Sequence, residues 1–181
     1  MTLFSIRSLR YLLLTSGVSL LPLVALSPTV HAQTAANTTV TATVTGVLSI
    51  TAPSSKSFNV GNTATSVDLG PVIVRSNQKN GYEVKVYSTN GGKLQNSDNS
   101  FRFSYTLSAT SGLGTKNTGV TPGTASASAQ TLYSSLDFQN EKCPLDAGCN
   151  IGVNLNYGAG LLDTLPIDSY TDTIVYEVVA K

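Results

Sequence analysis

Val40, Ala42 and Val44 alternate with Thr39, Thr41, Thr43 and Thr45. A period of two in β-branched residues predicts a strand over residues 38–45 with one apolar face. Gly46 interrupts it, and residues 47–51 resume it. Short strand signals follow at residues 58–60, 67–69 and 72–75, the last two separated by Gly70 and Pro71. Tyr82, Val84 and Val86 alternate with Glu83, Lys85 and Tyr87 after an Asn80-Gly81 turn signal. Phe101, Phe103, Tyr105 and Leu107 share a face, as do Ile151, Val153, Leu155 and Tyr157, and Ile174, Tyr176 and Val178. Leu132, Leu136 and Phe138 are read as one further apolar face. Residues 111–130, rich in Gly, Ser, Thr and Ala, form the longest predicted loop. A second loop covers residues 158–169, with Leu161 and Leu162 expected to tuck onto the core.

No stretch beyond residue 32 carries a helical period. Short strands at regular spacing with turns between them predict an all-β fold: an antiparallel two-sheet β-sandwich of about seven to nine strands, immunoglobulin-like or pilin-like, in one domain over residues 38–181.

The first 32 residues follow a different pattern. Arg7 and Arg10 precede an apolar run from Tyr11 to Leu26, and Val30-His31-Ala32 closes it. A charged start, an apolar middle and a small-residue end read as a cleavable signal peptide, cut after Ala32, with Ala35 and Ala36 as alternative sites. Pro22, Pro28 and the Ser and Thr content make it a poor spanning helix, and no later stretch is long and apolar enough to cross a bilayer. Residues 33–37 are then a polar tail. This reading places the domain outside the cytoplasm: secreted, periplasmic or at the cell surface.

Composition sharpens the picture. The signal removes Arg7 and Arg10 from 11 basic residues and none of the 10 acidic ones, so the remainder carries a net charge of −1. No basic patch points to nucleic acid. The one His and the one Met, His31 and Met1, leave with the signal, and the chain has no Trp. Ser-His-Asp and Cys-His nucleophile pairs are therefore excluded from the mature domain. Cys143 and Cys149 alone cannot complete a four-ligand zinc site. In an oxidising compartment they predict one disulfide around Pro144 and Gly148, with a structural role. No cofactor is expected, and the expected function is non-catalytic.

The ending Asp168-Ser169-Tyr170-Thr171-Asp172-Thr173-Ile174-Val175-Tyr176-Glu177-Val178 resembles the last strand of bacterial secreted β-sandwich proteins of the spore coat protein U and fimbrial-subunit type. Residues 38–45 are similar to the opening of those proteins. The pattern departs from theirs in placing both Cys late and Ala180 next to the terminus. The resemblance implies a structural or adhesive surface subunit, in a fimbria, coat or matrix, whose partners are copies of itself or related surface subunits. In that role Val40, Ala42 and Val44 are a candidate strand-donation segment, entering a neighbouring sandwich that lacks an edge strand. The alternative is that this strand pairs within its own domain. A second functional reading is a glycan-binding module with Tyr87, Tyr133 or Tyr157 stacking on sugar rings. Asp163, Asp168 and Asp172, and Asp98 beside Asn96 and Asn99, lack the spacing of a calcium loop and read as solvated turn carboxylates. Asn37-Thr38-Thr39 is a glycosylation sequon in a host that modifies such sites.

Overall fold

The computed structural model describes residues 39–181. The expected signal peptide, its cleavage site after Ala32 and the tail at residues 33–37 lie outside the described residues. Nine strands follow in chain order. They are β1 (Leu48–Thr51), β2 (Thr65–Ser76), β3 (Tyr82–Ser88), β4 (Lys93–Gln95), β5 (Arg102–Ala109), β6 (Thr115–Lys116), β7 (Gln130–Ser134), β8 (Cys149–Tyr157) and β9 (Ile174–Ala180). They form two sheets, one ordered β1-β2-β8-β5-β4 and the other β6-β7-β3-β9, with every strand pair antiparallel. The fold is the expected all-β two-sheet sandwich.

Alternation decides which face each strand buries. Val72 and Val74 of β2, Val84 and Val86 of β3, Leu107 of β5, Leu132 of β7 and Ile151 and Val153 of β8 are all fully buried. Their neighbours along each strand turn outward, as period two requires. At ~2 kcal/mol per aliphatic side chain, this two-sided layer is the main favourable term in folding.

Several expectations from the sequence need correction. Phe101, read on the inner face of its strand, precedes β5 and is 42% exposed. Residues 39–47 form no strand; pairing begins at Leu48, opposite Ser76. Residues 58–60 also form no strand, although Phe58 and Val60 pack against the core. The two signals either side of Gly70-Pro71 are one strand, with a register shift between Asp68 and Gly70. Gly70 lies at φ 95, where an L side chain is strained. The long loop at 111–130 is not free. It holds β6 and a 3-10 turn (Ser126–Ser128), and the Val120 and Leu107 backbones exchange hydrogen bonds of 2.8 Å.

Beyond β7 the chain turns at one end of the sandwich. Leu136 is exposed and Phe138 half-buried, so only Leu132 of that predicted face enters the core. The disulfide forms between Cys143 and Cys149, with their Cα atoms 4.8 Å apart. Its loop is short, so the chain-entropy contribution is about 2 kcal/mol. Leu161 packs on the core, whereas Leu162 is exposed instead of tucked in.

The core is rich in tyrosine, and this sets an alkaline limit. Burial raises the Tyr82, Tyr105 and Tyr133 phenols well above their ordinary 10.0, and Tyr176 is pushed up to about 12. Below pH 10.0 both folded and unfolded chains keep these protons. Above it the unfolded chain releases them first, so stability falls as pH rises towards the folded-state values. Tyr82, Tyr105 and Tyr133 together give a loss on the order of 4 kcal/mol per pH unit. The expected result is cooperative alkaline unfolding, with phenolate absorbance appearing together with loss of the β-sheet circular dichroism signal. Gradual titration of all tyrosines in an intact sheet would contradict it.

Candidate functional site

The sandwich is not sealed equally on all sides. β9 pairs with β3 along one edge and has no strand on the other. Its inward residues Ile174, Tyr176 and Val178 are only half-buried, although the inward residues of β3 beside them have no more than 1% exposure. A partly exposed core-facing row beside an unpaired edge leaves backbone groups on which a further strand can pair.

The opposite wall of this seam is the irregular stretch from Ala52 to Val60 that leaves β1. Phe58 anchors it by stacking on Tyr157 at 5.9 Å between ring centroids. Leu69, Leu94, Tyr105 and Leu155 contribute core side chains to the same groove. The groove encloses about 270 Å³ beside β9 and continues into a wider region of about 750 Å³. That wider part lies against the 158–171 loop, where Phe103 meets Tyr170 edge-on at 5.8 Å. At the other end β1 lies close against β9 and narrows the seam.

Asp172 fixes the start of β9. It accepts hydrogen bonds from the Tyr105 hydroxyl at 2.8 Å, the Asn90 N–H at 3.0 Å and the Thr173 N–H at 2.8 Å. Its partners hold the entrance of the groove in one shape. The groove is lined by polar and apolar groups in similar measure, Lys56, Asp172 and Thr173 standing beside Phe58, Ile174 and Tyr176, and it offers side-chain room for an extended, alternating segment, with backbone edge groups on β9 beside it.

The candidate donor residues are fully available. Val40 is 87% exposed and Val44 85%, and Ala42 is exposed as well. Thr45 and Val47 are held by one residue. The Asn77 side-chain amide donates to the Thr45 carbonyl at 2.9 Å, the Val47 N–H donates to the Asn77 side-chain oxygen at 2.6 Å, and the Asn77 N–H donates to the Val47 carbonyl at 3.2 Å. Asn77 thus clamps the chain where it enters β1.

A second cluster was invisible in the sequence. Glu141 is 5% exposed and accepts from the Tyr133 hydroxyl at 2.6 Å, the Leu136 N–H at 2.9 Å and, at 3.5 Å, the Tyr82 hydroxyl. The Tyr82 oxygen lies 3.2 Å from the Cys143 sulfur. Glu141, Cys143 and Cys149 are the one grouping of potential metal ligands among the described residues, but both sulfurs are already bonded to each other. This cluster is therefore a structural network in the oxidised protein.

The other candidates separate. Tyr133 and Tyr157 are buried in the core, so they offer no ring face to a sugar; Tyr87 is half-buried opposite Val175. That removes two of the three residues on which the glycan reading rested. Asp98 is held below the usual carboxylate range by hydrogen bonds from Ser100. Asp163 and Asp168 accept instead from Asn62 at 3.3 Å and Asn96 at 3.1 Å. Asp98 thus serves its own turn, whereas Asp163 and Asp168 tie the 158–171 loop to distant segments. No family model, curated protein or solved structure matches this chain.

Proposed function

We propose that this chain is an exported, non-catalytic structural subunit of a cell surface, which assembles when residues 39–45 of one copy enter the seam beside β9 of another. The observation that carries the reading is the half-buried row Ile174, Tyr176 and Val178 at an unpaired strand edge. The exposed Val40, Ala42 and Val44 supply a matching alternation. The stretch from residue 39 to 45 equals the 7 residues of β9 in length, and the groove borders β9 at Ile174 and Tyr176, before β1 comes close to it. Main-chain hydrogen bonds to β9 give affinity, and the apolar residues at every second position fix the register, since a slip by one would put threonines into the core. Export through a signal peptide and the disulfide-bonded loop belong to the same reading, because disulfides persist outside the reducing cytoplasm.

The test is deletion of residues 33–45 from the processed chain. The expected product is a monomer with unchanged β-sheet circular dichroism and unfolding midpoint that no longer forms high-mass species by light scattering or electron microscopy. Loss of the fold would mean that the segment completes its own domain. Persistent polymers from a folded, truncated chain would mean that assembly runs through another surface.

A further inference from the structure

We infer that subunits seat head to tail, with the acidic, apolar loop tip around Asp163 and Ile167 of one copy receiving the basic end around Lys79 and Lys181 of a second copy. This rests on the strand-donation reading above and names the surface that meets the body of the donor.

The two ends are defined by β9. The Lys181 N–H donates to the Gly81 carbonyl at 3.2 Å, and the Lys79 carbonyl accepts from the Phe138 N–H at 3.1 Å. This end also carries Asn77, the clamp from which the donor segment departs. Lys79, Lys181 and Leu136 are exposed here. At the opposite end, where β9 begins, the Asn96 amide donates to Asp168 and ties the 96–101 hairpin to the 158–171 loop. Ile167 is completely exposed and Leu162 is 58% exposed, with Asp98, Asp163 and Asp168 exposed among them. The segments 96–101 and 158–173 contain no Lys or Arg. The loop tip carries Asp98, Asp163 and Asp168, with Lys56 in the groove below and Arg102 after the hairpin as its basic neighbours, whereas the other end presents Lys79 and Lys181, the latter donating to the Ser134 hydroxyl at 3.2 Å, with Asp137 beside them.

Groove shape selects which end meets the donor. The seam is wide at the Asp168 end and narrowed by β1 at the Lys181 end. A donor whose tether enters at the wide end runs antiparallel to β9 and brings its own Lys79 and Lys181 over Asp163 and Asp168. The opposite entry would set two lysine-bearing ends against each other. It would also close two copies into a reciprocal pair, whereas the wide-end entry leaves a free groove and a free donor at the two ends of the growing chain. Ile167 and Leu162 border the groove itself, so the loop tip continues the same contact surface.

Charge reversal on both sides tests this. Lys79→Glu and Asp163→Lys are exposed changes, checked by circular dichroism for an unaltered fold. Each alone is expected to lower the polymerised fraction roughly tenfold at physiological salt, because like charges then face each other. The two together in one chain are expected to restore it, since every junction regains an opposite pair. A labelled peptide of residues 33–47 should bind all four proteins equally. If that peptide binds and wild-type chains polymerise, but the single reversals change nothing or the double variant is worse than both, the seating is wrong and donation stands. If the peptide fails to bind wild-type protein, the donation reading falls and this inference falls with it.

Discussion

Glu141→Ala is expected to destabilise the domain by roughly 3 kcal/mol or more, measured by urea unfolding. The carboxyl group is the shared acceptor for two buried phenols and one backbone N–H. Tyr133 and Tyr82 have less than 2% exposure, so bulk solvent does not reach their hydroxyls. Each orphaned donor costs about 1–3 kcal/mol, more than the net gain from making such a bond. The cavity left by the shortened side chain adds to the loss. The damage would reach further than one side chain, because Tyr82 opens β3 and its oxygen touches the disulfide sulfur. Glu141→Gln keeps a carbonyl acceptor and should lose only about half as much. Tyr133→Phe should cost about 2–3 kcal/mol, because it takes one donor from the carboxyl and also removes the acceptor of the buried Gly114 N–H. A Glu141→Ala protein within ~0.5 kcal/mol of wild type would show that the network contributes little to stability.

Nothing local marks Glu141 in the sequence. It stands among polar residues just after Asn140, and its partners come from positions 82, 133 and 136. Only the packing of β3 against β7 brings those groups to one point. The strands themselves were far more legible. Tyr82-Val84-Val86 and Ile151-Val153-Leu155-Tyr157 point inward as their alternation predicts, because a side chain's face follows from position parity alone. Parity also explains the main error. Val40, Ala42 and Val44 do alternate, yet residues 39–47 join no sheet. Alternation specifies which residues share a face; it does not specify the strand beside them. The open seam was hidden for the same reason. Ile174, Tyr176 and Val178 carry the same apolar pattern as fully buried rows, and only the strand order shows that one side of β9 has no neighbour.

Appending a copy of residues 33–45 after Lys181, through an Asn-Gly turn, is expected to lock the domain as a stabilised monomer. Lys181 ends beside Gly81, so a tight turn there sends the added segment back along β9 in the antiparallel sense. Its Val40 and Val44 equivalents would then cover the half-open row of Ile174, Tyr176 and Val178. Burial of the two valines and of the side chains they meet contributes ~8 kcal/mol, and about six new main-chain hydrogen bonds add ~6 kcal/mol. Ordering the added strand costs ~10 kcal/mol, which leaves a net gain of about 4 kcal/mol. In a domain of this size that raises Tm by roughly 10 °C. The same fusion fills the groove internally, so the protein should neither polymerise nor bind the labelled peptide. An appended copy carrying Val40→Asp and Val44→Asp should do none of this, since a carboxylate at either position would lose its hydration against the apolar row of Ile174, Tyr176 and Val178. Equal Tm for the two fusions, with polymerisation intact in both, would mean that the seam beside β9 accepts no strand of this sequence.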